Sequence, residues 1–345
     1  MDLHRTRTSK KNVRGFFGRM IQIDGSEAGG QILRTALALS ILTQKPFTMT
    51  NIRSKREKSG IKEQHLQIIK AIEDLTDSKI KGGRLRSTEL IFIPSKIKNN
   101  NITVNISTAG STGLVLQSLL IIGTKNNLEI TIKGGATYGK WAPPISFLQN
   151  ILLPLLSKMN YNPKIEIIKE GFFPKGGALV KANTKSSKLK SLNITEKTKT
   201  KEIDILSVSS SSLRTVAERQ AQKAEELIEE HFKIKPLTEI KYVPSLNPGS
   251  GLQLTLKTEN SFIGSNSLGE IRKTSEKVAE EAVNNLLKEN QPIDHKTADQ
   301  LLPYLALSSG KIKTSRISSH IKTNIKVIEQ FLPVKFKITN NTIEV

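Results

Sequence analysis

His320 is the residue whose type and setting best suit covalent chemistry. It stands in Ser318-Ser319-His320-Ile321-Lys322-Thr323-Asn324, between a run read as a strand and a run with helical periodicity. A ring at a helix N-terminus feels the positive end of the helix dipole, which favours neutral imidazole, the nucleophilic form. Asp299, at the start of the helix pattern ADQLLPYLAL, is a carboxylate able to orient it. Asp294 and His295 just before that helix read equally well as a solvated loop. His65 is the second candidate among five histidines, since His4 lies in a basic tail and His231 ends a charged helix. No histidine pair has metal-ligand spacing.

The second constellation is cationic. Arg34 sits one turn into a helix that follows Asp24-Gly25-Ser26 and Gly29-Gly30, while Arg53 and Arg56 follow the next strand. A strand, a glycine turn and a helix start gather free N–H groups, and three guanidiniums there can converge on one polyanion. Taken singly, each arginine also fits a solvated surface. Their company favours a site, because Lys55, Lys58, Gln64 and His65 continue a basic, polar path into the next helix. Gln117 on an otherwise apolar helix points to a hydrogen-bonding task. One apparent nucleotide motif is excluded. Gly134 to Lys140 spells G-x4-G-K after a strand, but Trp141 replaces the Ser or Thr that would hold magnesium, and Pro143-Pro144 follow where a helix should begin.

The elements that must position these residues repeat. A strand (20–24), helix (30–42), strand (46–52), helix (62–75) and hairpin (79–94) are followed by a strand at 101–106, helix TGLVLQSLLIIG, strand LEITIKG, helix PPISFLQNILLPLLSKM and a hairpin over 165–183. A third copy comprises helix ADQLLPYLAL, strand KIKTSRI, helix TNIKVIEQFL and the hairpin PVKFKITNNTIEV, with its opening strand displaced elsewhere. The expected fold is α+β: three repeated βαβαββ units, each a four-stranded sheet with two helices, over 20–183 and 271–345. Residues 184–270 read as a smaller inserted α+β domain, and 1–19 as a basic N-terminal extension. The helix pattern SEKVAEEAVNNLLKE (275–289) is expected to return the chain to the main body.

Composition narrows the partners. Fifty-three Lys and Arg against 31 Asp and Glu leave a net charge of +22, spread along the 345 residues; a nucleic-acid or polyphosphate partner is the natural expectation, and a surface merely solubilised by lysine is the alternative. The absence of cysteine excludes disulfides, thiolate nucleophiles and cysteine-built zinc sites, and fits a reducing, cytoplasmic setting. The longest apolar runs fall short of the roughly 20 residues a membrane span needs, so no membrane partner is expected.

Six segments in order, GGQILRTALALS, NIR-x2-R-x3-G-x3-QHL, AGSTGLVLQ, GFFPKGG, ADQLLPYLAL and HIKTN, resemble the RNA 3'-terminal phosphate cyclase family from Met20 to the C-terminus. The resemblance implies an ATP-dependent enzyme that turns an RNA 3'-phosphate end into a 2',3'-cyclic phosphate through a histidine-AMP intermediate and an RNA-adenylate. It places the nucleophile on His320 and the phosphate-binding arginines on Arg34, Arg53 and Arg56. Gln64, His65 and Gln117 become polar neighbours of the nucleotide, Asp299 the acidic partner, and Pro143 an apolar surface near the adenine. ATP, a divalent cation (magnesium or manganese) and RNA with a 3'-phosphate are the implied ligands, and a homodimer is the oligomer allowed for. Two positions depart from the family pattern. The first turn, Asp24 to Gln31, is two residues shorter, so the family's metal- and ATP-associated glutamate falls on Glu27 from a shifted position; Lys296 replaces an aromatic near the nucleotide. The rival reading within the family is a noncatalytic RNA-binding relative in ribosome biogenesis, which lacks the nucleophilic histidine. A second rival is a fold-related enolpyruvyl transferase.

Overall fold

The computed structural model describes residues 20–27, 29–140 and 142–345, so the expected extension over 1–19 lies outside the described residues. The fold is mixed α+β, with four four-stranded sheets and eight helices among those residues.

The first sheet holds β1 (Ile21–Asp24), β2 (Phe47–Thr50), β3 (Lys79–Lys81) and β4 (Leu90–Ile93), ordered β1-β2-β4-β3. Its helices are α1 (Gly29–Thr43) and α2 (Glu63–Leu75). The second sheet, β5-β6-β8-β7, is built from β5 (Asn101–Ser111), β6 (Leu128–Ala136), β7 (Lys164–Lys169) and β8 (Leu179–Thr184). Its helices are α3 (Thr112–Gly123) and α4, which runs as Ile145–Phe147, a π-helical turn Leu148–Leu152, and Leu153–Lys158.

The third sheet contains β14 (Gly310–Lys313), β15 (Lys337–Thr339) and β16 (Thr342–Glu344), with helices α7 (His295–Ser308) and α8 (Ser319–Phe331). Its fourth strand is β9 (Leu192–Ile194), which pairs in parallel with β14. In all three sheets the first two strands are parallel, the fourth is antiparallel to the second, and the third is antiparallel to the fourth.

The fourth sheet, β11-β10-β12-β13, is formed by β10 (Thr200–Ser210), β11 (Leu237–Val243), β12 (Ser250–Thr258) and β13 (Phe262–Leu268), with α5 (Val216–Phe232). Its core is separate from that of the other three sheets. Here the expected boundaries at 184 and 270 do not coincide with the pairing. Leu192 and Ile194 are buried in the large core and belong to the third sheet, upstream of the fourth. Helix α6 (Ser275–Leu287) does not return to the body either. Its apolar face, Val278, Ala279, Ala282, Val283 and Leu286, completes the small core with Ile205, Leu254 and Ile228. That face at i, i+4, i+8 spacing fixes only that the helix packs, and the fourth sheet is what it packs on.

Two helices decide how the site is built. Helix α1 is apolar nearly all round, with Ile32, Leu33, Ala36, Leu37, Ala38 and Leu39 all buried, so it sits inside the body rather than on its surface. Helix α8 lays Ile321, Ile325, Ile328 and Phe331 into the same core, and Phe331 meets Phe47 of β2 edge-on at 5.9 Å. Lys45 Nζ donates to the Phe331 carbonyl at 2.6 Å, satisfying one of the free carbonyls at the end of α8 and tying it to the first sheet.

Candidate active site

Arg34 is carried into the interior by α1. It is 8% exposed and its Nε has no hydrogen-bond partner. The surface alternative for this arginine is therefore excluded, because the helix bearing it is enclosed. Burial pulls its pKa down to about 10, opposed by the nearby charge of Asp299 on α7, so it stays a cation at neutral pH.

Asp299 responds to the same enclosure. Burial raises its carboxyl to about 6, while hydrogen bonds from Gln31 and Asn324 and the charge of Arg34 pull the other way. Asn324 Nδ2 donates to its Oδ1 at 3.3 Å, so α8 holds the carboxylate that faces α1. A cavity of about 30 Å³, room for a water, lies between these helices, lined by Gln31, Arg34, Gln117, Asp299 and Asn324. Gln117 is thus brought to Arg34 and Asp299, and the neighbouring Ser118 Oγ donates to the Arg34 carbonyl at 3.4 Å. Gln31 and Asn324 are not marked as site residues by the sequence. Each is a single polar residue on a helix, and the pattern has no sign for a partner more than twenty residues away.

His65 lies at the start of α2 and is buried. Burial, then the charges of Arg34, Arg53 and Lys62, hold its pKa down at about 3, so the ring is neutral at working pH. Its Nδ1 accepts from the Lys62 N–H at 3.2 Å, which places the proton on Nε2. That Nε2 is buried without a partner. Arg53, at the turn after β2, has a left-handed φ of 57° and donates its N–H to the Gly25 carbonyl at 2.9 Å, which locks the arginine turn onto the glycine turn. Its Nε is also buried and unpaired. Three donors, Arg34 Nε, Arg53 Nε and His65 Nε2, are thus aimed at no protein group. A buried donor left unpaired costs about 1–3 kcal/mol, so a cluster of three marks a place prepared for an anion.

Gly30 keeps that place open. A Cβ there would lie 2.7 Å from His65 Nε2 and 3.7 Å from the Arg34 guanidinium. Gly30→Ala is expected to lower turnover about tenfold to a hundredfold through this misplacement, with a smaller change in melting temperature. Initial rates beside thermal unfolding check it; wild-type rates would show that the donors are not used.

His320 occupies the first turn of α8, and the Ser318 hydroxyl accepts the Ile321 N–H at 3.2 Å as its cap. The ring is accessible. Desolvation, then the charges of Arg56 and Arg34, lower its pKa from 6.5 and favour the neutral form. Arg56 is exposed and close enough for its charge to act on both His320 and Arg53.

Gln64 approaches the second sheet, its Cβ 3.6 Å from where a Cβ on Gly110 would be. The Pro143 carbonyl lies against the start of α3 at Gly113. Glu27 is exposed and ion-paired with Lys55 at 3.1 Å, and Asp24 binds Ser26 and Asn51. Among the described residues, no group of three or more His, Cys, Asp or Glu side chains is placed to hold a metal. Lys296 is largely enclosed, with a lowered pKa from burial, and donates to Asn266 Oδ1 at 3.1 Å on β13. The solvated-loop alternative for Asp294 and His295 is overturned. Asp294 is buried and caps α7 through the Lys296 and Thr297 N–H groups, and His295 Nδ1 pairs with Glu289 at 2.5 Å.

A family model described as RNA 3'-terminal phosphate cyclase matches residues 25–338. A protein of that name from Pyrococcus abyssi is 39% identical over 92% of this chain and 95% of its own length. Another of that name, from Methanococcoides burtonii, is 40% identical over 92% of this chain and 96% of its own. One from Sulfurisphaera tokodaii is 38% identical over 93% and 96%. No helix among the described residues is long and apolar enough to cross a membrane.

Proposed function

We propose, from the premise that this chain belongs to the RNA 3'-terminal phosphate cyclase family, that it converts RNA 3'-phosphate ends to 2',3'-cyclic phosphates at the expense of ATP, with His320 as nucleophile. The observation that carries the reading is the set of three unpaired buried donors, Arg34 Nε, Arg53 Nε and His65 Nε2, beside an accessible and neutral histidine.

In the first step a neutral ring nitrogen of His320 attacks the α-phosphorus of ATP. An N–P bond forms, the bond to the pyrophosphate oxygen breaks, and the ring proton leaves to solvent. Arg34, Arg53 and the His65 Nε2–H neutralise the negative charge that builds on the phosphate oxygens. In the second step an oxygen of the RNA 3'-phosphate attacks the same phosphorus and His320 leaves. In the third, the ribose 2'-hydroxyl attacks the activated 3'-phosphate, its proton is lost and AMP departs. Only RNA carries that hydroxyl. A divalent cation would supply further neutralisation on the phosphates, but the described residues do not form a protein-held metal site, so no step is derived through one. Glu27 is engaged by Lys55 and remains the one carboxylate that the family pattern assigns to it.

The shared strand order of three sheets supports reading the body as three copies of one βαβαββ unit. In the third copy, the fourth sheet with α5 and α6 is inserted between β9 and α7. The site then draws two helices from the first copy (α1 and α2), one from the second (α3) and two from the third (α7 and α8). His320 also disfavours the noncatalytic alternative, which would lack it.

The pH dependence has a definite sign. Because the pKa of His320 is lowered, adduct formation should rise along a limb with its midpoint below 6.5 and then level off. Arg56→Ala removes a cation and should move that midpoint up toward 6.5. Single-turnover adduct formation across pH checks it; a midpoint that stays or falls contradicts the charge coupling between Arg56 and His320. The overall reading is tested by supplying ATP and an oligoribonucleotide with a 3'-phosphate. A 2',3'-cyclic end and AMP should appear, and neither should form with the 3'-hydroxyl analogue. Consumption of a small enolpyruvyl donor without ATP would sink the reading.

A further inference from the structure

The motif Gly171-Phe172-Phe173-Pro174-Lys175-Gly176-Gly177 plays no part in the chemistry above, yet the loop is held by packing on one side and by side-chain hydrogen bonds on the other. Phe172 points inward and stacks on Tyr138, with ring centroids 5.4 Å apart and planes at 21°. Its neighbour points out: Phe173 is 44% exposed. Asn247, between β11 and β12, fixes the loop by donating to the Phe173 carbonyl at 3.0 Å and accepting the Lys175 N–H at 3.2 Å. An exposed aromatic on a loop clamped from both sides is a prepared surface rather than a frayed one.

Its surroundings are cationic and apolar. Lys140 Nζ lies over one face of the Phe173 ring, 5.1 Å from its centroid, and pairs with Glu270 at 3.2 Å. Lys175 in the loop is exposed, as is Leu246, at 54%, which lies against Gly177; Ile271, at 95%, and Arg272 are exposed in the segment that follows Glu270. A stacking face bordered by cations is the combination that single-stranded nucleic acid uses, base on ring and phosphate on ammonium.

The loop is also joined to the active site through close backbone contacts. A Cβ on Gly110 would lie 3.6 Å from the Gln64 Cβ, one on Gly135 would lie 2.7 Å from the Gly110 carbonyl oxygen, and one on Gly176 would lie 2.5 Å from the Gly135 carbonyl oxygen. Gln64, beside His65, and the Phe173 loop are therefore linked through Gly110 and Gly135, each segment lying close against the next.

We propose that Phe173 is the platform on which a base upstream of the RNA 3' end stacks, with Lys140, Lys175 and Arg272 along the adjoining phosphates. The proposal rests on the function given above, whose terminal phosphate occupies the arginine site while the rest of the RNA must leave across the surface. Charge complementarity to a chain of net charge +22 favours RNA as the occupant.

The test compares Phe173→Ala, Phe173→Leu and Phe173→Trp on two substrates, a 3'-phosphorylated dinucleotide and a 3'-phosphorylated RNA of roughly ten nucleotides, a length within single-strand site sizes. Phe173→Ala and Phe173→Leu should raise KM for the longer RNA by about fivefold to a hundredfold, the worth of one stacked base. The dinucleotide KM and RNA-free adenylylation of His320 should not change, and Phe173→Trp should keep wild-type affinity. An equal KM on both substrates in Phe173→Ala relative to wild type, or equal losses on both, overturns the platform; the first outcome leaves the patch to a protein partner. Fluorescence anisotropy with the same two RNAs reads the length dependence without turnover. A wild-type protein that forms no adduct would refute the proposed function, while the anisotropy result would still decide the platform.

Discussion

His320→Asn is expected to leave the protein folded and to remove cyclisation entirely, a loss of about four orders of magnitude or more, as when a covalent nucleophile is deleted. The asparagine side chain approximates the ring's size and polarity, and the site is accessible, so little packing is lost. Helix α8 is held independently by Ile321, Ile325, Ile328 and Phe331 and by the Ser318 cap. Melting temperature should therefore stay near wild type while turnover of a 3'-phosphorylated RNA disappears. A variant that retains even a hundredth of the activity would mean that phosphate transfer does not pass through this nitrogen.

The second large effect belongs to Arg34. Arg34→Ala should lower adenylylation by about two to three orders of magnitude, the usual cost of one preorganised donor to a developing oxyanion. Arg34→Lys should recover little of it, since an ammonium cannot reproduce the guanidinium fork. Stability should fall as well, because removing one member of a buried charged pair strands the other.

The pH dependence identifies the stranded partner. Asp299 has a folded pKa near 6, above its ordinary 3.8, so the native state binds the extra proton and stability is lost as pH rises from about 4 through 6. Without Arg34 its pKa rises further, and the loss should extend to higher pH. The double variant Arg34→Ala, Asp299→Asn should regain stability at neutral pH without regaining activity. Thermal unfolding across pH and single-turnover adenylylation measure the two effects separately. Recovery of activity in the double variant would show that Arg34 serves only to balance Asp299.

Much of this site is legible along the chain because its residues lie at element ends, where polar residues interrupt apolar runs. His320 beside Ser318, and Arg53 and Arg56 after a strand, stand out in this way. The burial of Arg34 was not legible. An arginine on a helix reads as surface until the helix is known to be apolar on every side, and the pattern Ile32, Leu33, Ala36, Leu37, Leu39 looks like one face until Ala38 and Ile41 are counted with it. Asp294 and His295 stay undecided in the sequence for the opposite reason, since a cap and a loop share the same polar composition, and the Lys296 and Thr297 N–H groups on the Asp294 carboxylate distinguish them. Strand β9, three residues in a lysine-rich stretch, has too few positions for any period to show. Its identity comes from its partner β14, more than a hundred residues away. The attachment of α6 is hidden for a different reason, since its apolar face is clear in sequence but nothing in that face says which sheet it covers.

The central claim is that AMP is carried on His320. Wild-type protein should be incubated with ATP labelled on the α-phosphate, without RNA, and the adduct mapped by mass after proteolysis. One AMP should be found on the peptide containing His320, through a bond labile to acid and stable to alkali, and it should be discharged on adding RNA with a 3'-phosphate. Label on a lysine or on His65, or none at all across magnesium and manganese, would contradict the account.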